Sequence, residues 1–284
     1  MSRFDTGIER LVGGLAEGNV IPYLGAGVLK LGQTMVPGSQ AALAGFLAGK
    51  TSVPFKLRNN LTAAAQYVEN FKHRKTLTRL MSEAFGNSTS PTSLHYLVAE
   101  RYSCQLIVDV WYDDAIQKAL AGRSNWGQVQ GVSHAEHPGQ WYRCLHVDGS
   151  IASDGESSRW DTLLYKPIGS IAPEGSFVVS DSDFVEILTE IDIQTPIPPA
   201  VQERRAGRHF LFMGCRFNAQ NDRIFARQIM KRSSDLHWAV LPEQPTRNEL
   251  RFLAEQNIER IEMPLADFAA AIELSVASQA RAAS

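Results

Sequence analysis

The run Val20-Ile21-Pro22-Tyr23-Leu24, which breaks into Gly25-Ala26-Gly27, constrains the fold more than any other stretch of the chain. A short apolar, partly β-branched segment reads as a buried strand. The three small residues at its exit let backbone N–H groups approach an anion, and a following helix would aim its positive end there. A tight strand exit needs glycine for positive φ with or without a ligand, so a phosphate turn and a structural turn both fit the triplet.

At 284 residues the chain has the length for one large α/β domain, or for a domain with an inserted lobe. The net charge of −2 supplies no basic excess for nucleic acid or an anionic membrane. Arg204-Arg205 and Lys231-Arg232 are short enough to be solvated surface. Cys104, Cys144 and Cys215 are odd in number and widely spaced, which argues against a disulfide framework. No apolar run reaches the roughly 20 residues of a membrane span, and the first residues lack a signal-peptide core. A reduced cytoplasm is the expected location.

Along the chain, strands are expected at Val20–Leu24, Cys104–Val110, Asp161–Ile168, Phe177–Val179, His209–Gly214, Trp238–Leu241 and Ile258–Met263. Helical patterns separate them and form a lobe over about 40–100, where Ser39 reads as a cap for the helix after it. A proline-rich turn is expected over Gln194–Pro199. Residues 122–160 are rich in Gly, Ser, Asp, His and Pro; they read as an irregular insertion with at most one strand, near Trp141–Val147. The alternation gives an α/β fold, a doubly wound and mostly parallel sheet with helices on both faces, within a single domain over 1–284. Ligands in such sheets sit at the carboxyl ends of the strands. Gly25–Gly27, Trp111–Asp113, Gly169–Ser170 and Gly214–Asn218 all lie at strand exits, so they are expected to converge.

The order of these motifs resembles the sirtuin-like NAD-binding family, above all its bacterial branch, from about Val20 to Phe268. Gly25-Ala26-Gly27-Val28 is similar to the family's Gly-Ala-Gly-Val/Ile-Ser phosphate loop, and Val36-Pro37-Gly38 follows where the family has an apolar residue, Pro and a small one. Val110-Trp111-Tyr112-Asp113 stands where the family has Thr-Asn-Tyr-Asp, and Tyr165 to Ser170 where it has Lys-Leu-His-Gly-Ser. Ser180 to Phe184 resembles its Thr-x-x-Asp-Tyr/Phe cap. Phe212 to Asn218 resembles the Leu-Gly-Tyr-Ser-Phe-x-Asp loop on the adenosine side.

The resemblance implies a nucleotide ligand such as NAD or ADP-ribose. Gly25, Ala26, Gly27 and Val28 would hold the phosphate, and Pro37 would be a further binding position. Gly214, Arg216 and Asn218 would take the ribose or adenine side, and Trp111, Tyr112, Gly169 and Ser170 the rest. Two departures bear on activity. Trp111 replaces the family's Asn, which positions water or ribose, and Ile168 replaces its His, the general base. Neither side chain accepts a proton or orients a nucleophilic water, so the expectation is a catalytically degenerate, nucleotide-binding sensor, regulator or partner-binding protein. The serine of the phosphate loop is also lost, to Leu29, and no four-cysteine zinc module is present.

Two other readings stay open. One is an active NAD hydrolase with a relocated base, Asp113 or His146, although Asp113-Asp114 also suit a helix cap before Ala115. The other is a scaffold that has lost its ligand, or has exchanged it for a metal or haem in the loop that carries His134, His137, Cys144 and His146, whose spacing matches no recognised metal pattern. Beyond a small-molecule nucleotide, a protein partner and self-association are the remaining partner classes.

Overall fold

The computed structural model describes residues 3–282 apart from 88, 103 and 194–196. The first part of the expected proline-rich turn therefore lies outside the described residues.

Helix α1 (Arg3–Ala16) leads into β1 (Val20–Leu24) and a 3-10 turn (Ala26–Leu31). A helical stretch follows: α2 (Gln40–Lys50), α3 (Leu61–Lys72), α4 (Arg74–Phe85) and the short α5 (Ser93–Tyr96). Next come β2 (Leu106–Asp109), α6 (Ala115–Leu120), β3 (Trp126–Gly131), β4 (Tyr142–His146), β5 (Ile151–Ala152), α7 (Asp154–Ser157) and β6 (Thr162–Lys166). A small ribbon of β7 (Gly169–Ser170) and β8 (Ser176–Phe177) precedes α8 (Asp181–Ile193) and α9 (Pro199–Arg205). The chain continues through β9 (His209–Met213), α10 (Gln220–Met230), β10 (His237–Val240), α11 (Arg247–Glu255), β11 (Ile258–Ile261) and α12 (Leu265–Ala282).

Nine strands form one sheet in the order β11-β10-β9-β1-β2-β6-β3-β4-β5. From β11 to β3 every pairing is parallel, and β4 and β5 extend the sheet antiparallel. Side chains alternate between two cores, one on each face. Ile21, Tyr23, Phe210 and Phe212 join a core with residues of α2, α3, α4, α8, α10 and α11. Val20, Leu24, Leu211 and Met213 join the other with residues of α1, α6 and α12. Both faces being covered, the central strands read as continuous apolar runs, which made them visible in the sequence. The architecture is the expected doubly wound α/β fold.

Residues 122–160 correct one expectation. They do not form an irregular insertion: β3, β4 and β5 lie there, with β3 inserted between β6 and β4. The segment Trp-Gly-Gln-Val-Gln-Gly shows little apolar periodicity because buried amides hold one face of β3. Gln128 donates to Gln130 Oε1 (2.8 Å) and to the Ala172 carbonyl (3.0 Å), and Gln130 donates to the Glu174 carbonyl (2.6 Å).

Two local devices set the entry to the site. Ser39 caps α2, accepting from the Ala42 N–H at 3.1 Å, and Asn60 caps α3 in the same way. Asp183 anchors α8, accepting from Arg74 of α4 (2.8 Å), from the Ser133 hydroxyl (2.6 Å) and from the Val179 and Ser180 N–H groups. The helical stretch is thereby tied to the sheet.

Candidate active site

The sheet order reverses at β1, which has β2 on one side and β9 on the other. A crevice opens at the carboxyl ends of strands at such a switch point. A cavity of about 670 Å³ lies there, within the usual range for small-molecule sites. Its walls include Gly25–Gly27 after β1, Val110–Tyr112 after β2, Ile168 after β6 and Gly214–Ala219 after β9.

The glycines are required by backbone crowding. A Cβ on Gly25 would stand 2.6 Å from the Gly214 oxygen, and one on Gly27 2.8 Å from the same atom. Gly214 itself has φ +68°, and a Cβ there would meet the Val28 nitrogen at 2.5 Å. The exits of β1 and β9 are stitched by Gly25 N–H to the Met213 carbonyl and Gly27 N–H to the Gly214 carbonyl, both at 2.9 Å. Val28 N–H turns back to the Gly25 carbonyl, and the Val28 side chain is buried in the second core, off the cavity. Among the described residues of this loop, the Ala26 N–H at the start of the 3-10 turn bonds to no protein acceptor.

Trp111 is buried and lines the cavity. Its indole N–H donates to the Pro37 carbonyl at 2.7 Å, and its ring packs edge-on against Phe85 and tilted against Tyr112. Pro37 thus acts through its carbonyl and is not among the lining residues. Tyr112 donates to the Val178 carbonyl at 2.8 Å, and burial raises its phenol well above the usual range. Ile168 closes the wall beside them.

Other expected residues lie elsewhere. Gly169, at φ +90°, packs against the Ser176 carbonyl, and the Ser170 hydroxyl accepts from Gln117 at 3.0 Å; neither lines the cavity. Asp113 is buried off the cavity, and its carboxylate accepts from the Ala115 N–H at 2.8 Å, capping α6. Arg216 does line it, but its guanidinium fork is spent on Glu249, at 2.9 and 3.0 Å, and it also pairs with Glu243. Glu249 is fully buried. Burial pushes its carboxyl up, but Arg216 and the Thr246 cap outweigh that and hold it at about 2. Asn218 lines the cavity, its side chain accepting from the Ala219 N–H.

The metal candidates do not converge. His134 stacks on Trp141, His137 meets Arg143, Cys144 faces Asp154, and His146 lies near Glu156. Among the described residues no three His, Cys, Asp or Glu side chains gather as a metal site.

Three polar residues of the cavity were missed. Lys30 is exposed there with no ion-pair partner among the described residues. Gln40 of α2 donates through Nε2 to both Asp222 oxygens of α10, at 3.0 and 3.1 Å. Desolvation pushes the Asp222 carboxyl up to about 6, against the lowering effects of the Gln40 bonds and Arg223. A lysine, a glutamine and an aspartate at ordinary helical positions carry no motif, so no sequence signal pointed to them.

Below the cavity, Lys166 is fully buried against Asp109, at 2.6 Å, and donates to the Asp113 carbonyl at 2.7 Å. Desolvation raises the Asp109 carboxyl to about 6 even against that ammonium. The pair braces the exits of β2 and β6, and the Trp111 N–H donates to Asp109 at 3.1 Å.

A model of the SIR2-like domain family matches residues 105–261. The chain belongs to that family. The matched region spans β2 through β11 of this SIR2-like domain, including the exits that carry Trp111, Ile168 and Gly214. A solved structure described as the structural basis for the mechanism and regulation of Sir2 enzymes is similar over 97% of this chain and 99% of its own, at 13% identity and a TM-score of 0.44. No curated protein matches the sequence. Among the described residues no helix is long and apolar enough to cross a membrane.

Proposed function

We propose that this SIR2-like domain binds a nucleotide of the NAD or ADP-ribose type in the cavity at the β1–β9 switch point without cleaving it. It acts as a sensor, regulator or partner-binding protein in the cytoplasm. The observation that carries this reading is the wall formed by Trp111 and Ile168. They stand where the sirtuin-like pattern places an Asn that positions water or ribose and a His that takes a proton. An indole whose N–H is committed to the Pro37 carbonyl and a sec-butyl group do neither. The Ala26 N–H and the Lys30 ammonium are the groups available to an anionic part of the ligand.

The hydrolase reading finds less support, because Asp113 is a helix cap and His146 lies on β4, both off the cavity. The metal or haem reading finds less still, given the scatter of His134, His137, Cys144 and His146.

Calorimetric titration of the protein with NAD, ADP-ribose and AMP tests the proposal. Ala41 lines the cavity from the exposed face of α2, so Ala41→Trp should fill the space while leaving the fold intact. Binding that disappears in this variant supports the reading. Absence of binding by all three ligands would overturn it.

A further inference from the structure

Asp222 is a carboxylate lining the cavity that the protein pairs with no cation among the described residues. It stands in the first turn of α10 and lines the switch-point cavity together with Tyr23 of β1, Tyr112 after β2 and Cys215 after β9. Among the described residues its hydrogen-bond partner is the neutral Gln40 amide alone. The neighbouring Arg223 turns its Nη1 to the Phe217 and Asn218 carbonyls, at 2.6 and 2.7 Å. Arg216, the other cation close by, is held by Glu249. The protein thus holds a carboxylate in a desolvating cavity with no ion-pair partner, at a cost in stability.

The geometry limits what can face this group. Both oxygens accept from one Gln40 nitrogen, at 3.0 and 3.1 Å, and each oxygen keeps a further lone pair. A phosphate brought against it would be repelled. A neutral pair of adjacent donors suits it, and vicinal hydroxyls supply such a pair; an acidic side chain takes a ribose in this way in dinucleotide folds. Phe225, one turn further along α10 and edge-on to Phe184, adds an apolar wall for a flat ring attached to that sugar.

We propose that Asp222, aligned by Gln40, reads the cis-diol of a ribose, so that the cavity selects ribonucleotides over their 2′,3′-dideoxy counterparts. This inference rests on the nucleotide reading of the cavity and adds the part of the ligand that is recognised.

The test is calorimetry of AMP and 2′,3′-dideoxy-AMP against the wild-type protein and Asp222→Asn. Two hydrogen bonds to a charged acceptor should favour AMP by about tenfold or more in the wild type. Asp222→Asn replaces two charged acceptors with one neutral one, so its preference for AMP should be several-fold smaller than the wild type's. Equal affinities in the wild type would overturn the diol assignment while leaving a nucleotide cavity standing. A preference that survives intact in Asp222→Asn would overturn the choice of residue. No binding of AMP, dideoxy-AMP or NAD would overturn the nucleotide reading itself, and this inference with it.

Discussion

The Trp111 indole N–H donates to the Pro37 carbonyl at 2.7 Å, joining the exit of β2 to the loop that enters α2. One bond thus ties the core of the sheet to the helical stretch. Trp111 is a structural wall of the cavity, pinned in place.

Trp111→Phe keeps an aromatic ring beside Phe85 and Tyr112 but removes the bond to Pro37 and part of the buried indole. Urea denaturation should show a loss of about 2 kcal/mol. Trp111→Asn strips out the buried ring and should cost about 3–5 kcal/mol. Under the proposed reading it should leave NAD intact, since the Ile168 side chain accepts no proton.

Gly27→Ala places a methyl group 2.8 Å from the Gly214 oxygen and 3.0 Å from its Cα. Backbone on both sides leaves no flexible end to give way, so the exits of β1 and β9 must part. The expected loss is about 1–3 kcal/mol, with weaker binding of any nucleotide, read by thermal unfolding and calorimetry. A stable variant with unchanged binding would remove the close approach from the account of this turn.

Lys166→Met leaves the Asp109 carboxylate buried without its ammonium. A loss of about 3–5 kcal/mol in urea unfolding is expected. Adding Asp109→Asn, which keeps an acceptor for the Trp111 N–H, should recover a large part of it. Additive losses in the double variant would contradict a coupled pair.

Asp222 gives stability a pH dependence of definite sign. Its folded carboxyl, at about 6, lies above the ordinary value of about 3.9, so the fold favours the protonated form. That contribution is complete below about pH 4 and is lost as pH rises through about 6. Besides desolvation, the groups that bear on it are Gln40 from α2 and Arg223 on its own helix, which lower it, and Glu249 from α11, which raises it. Relative to wild type, Asp222→Asn should gain about 1 kcal/mol between pH 4 and pH 7, because solvent reaching the half-buried carboxylate moderates the effect. Urea unfolding of both proteins across that range measures it; a difference that stays flat with pH would contradict the shift.

The parts of the molecule legible in the sequence are those governed by continuous apolar runs. β1 runs over Val20–Leu24 as read, and β9 ends one residue earlier than expected, at Met213. Their exits, with those of β2 and β6, converge as the doubly wound pattern requires. β3 is illegible because Gln128 donates to Gln130 and both donate to nearby carbonyls, replacing apolar burial with hydrogen bonds. The cavity's polar residues were illegible for another reason. Gln40 and Asp222 are 182 positions apart and meet only because α2 and α10 flank the same crevice. Arg216 was placed at the site, but its role depends on Glu249, whose position no local pattern discloses.

Incubating the protein with NAD and following nicotinamide by chromatography, alongside calorimetric titration of the same sample, tests the central claim most directly. Saturable binding with NAD recovered intact is the expected result. Nicotinamide released at an enzymatic rate, and abolished in Ala41→Trp, would contradict it and show that a base other than the family's histidine works in this cavity.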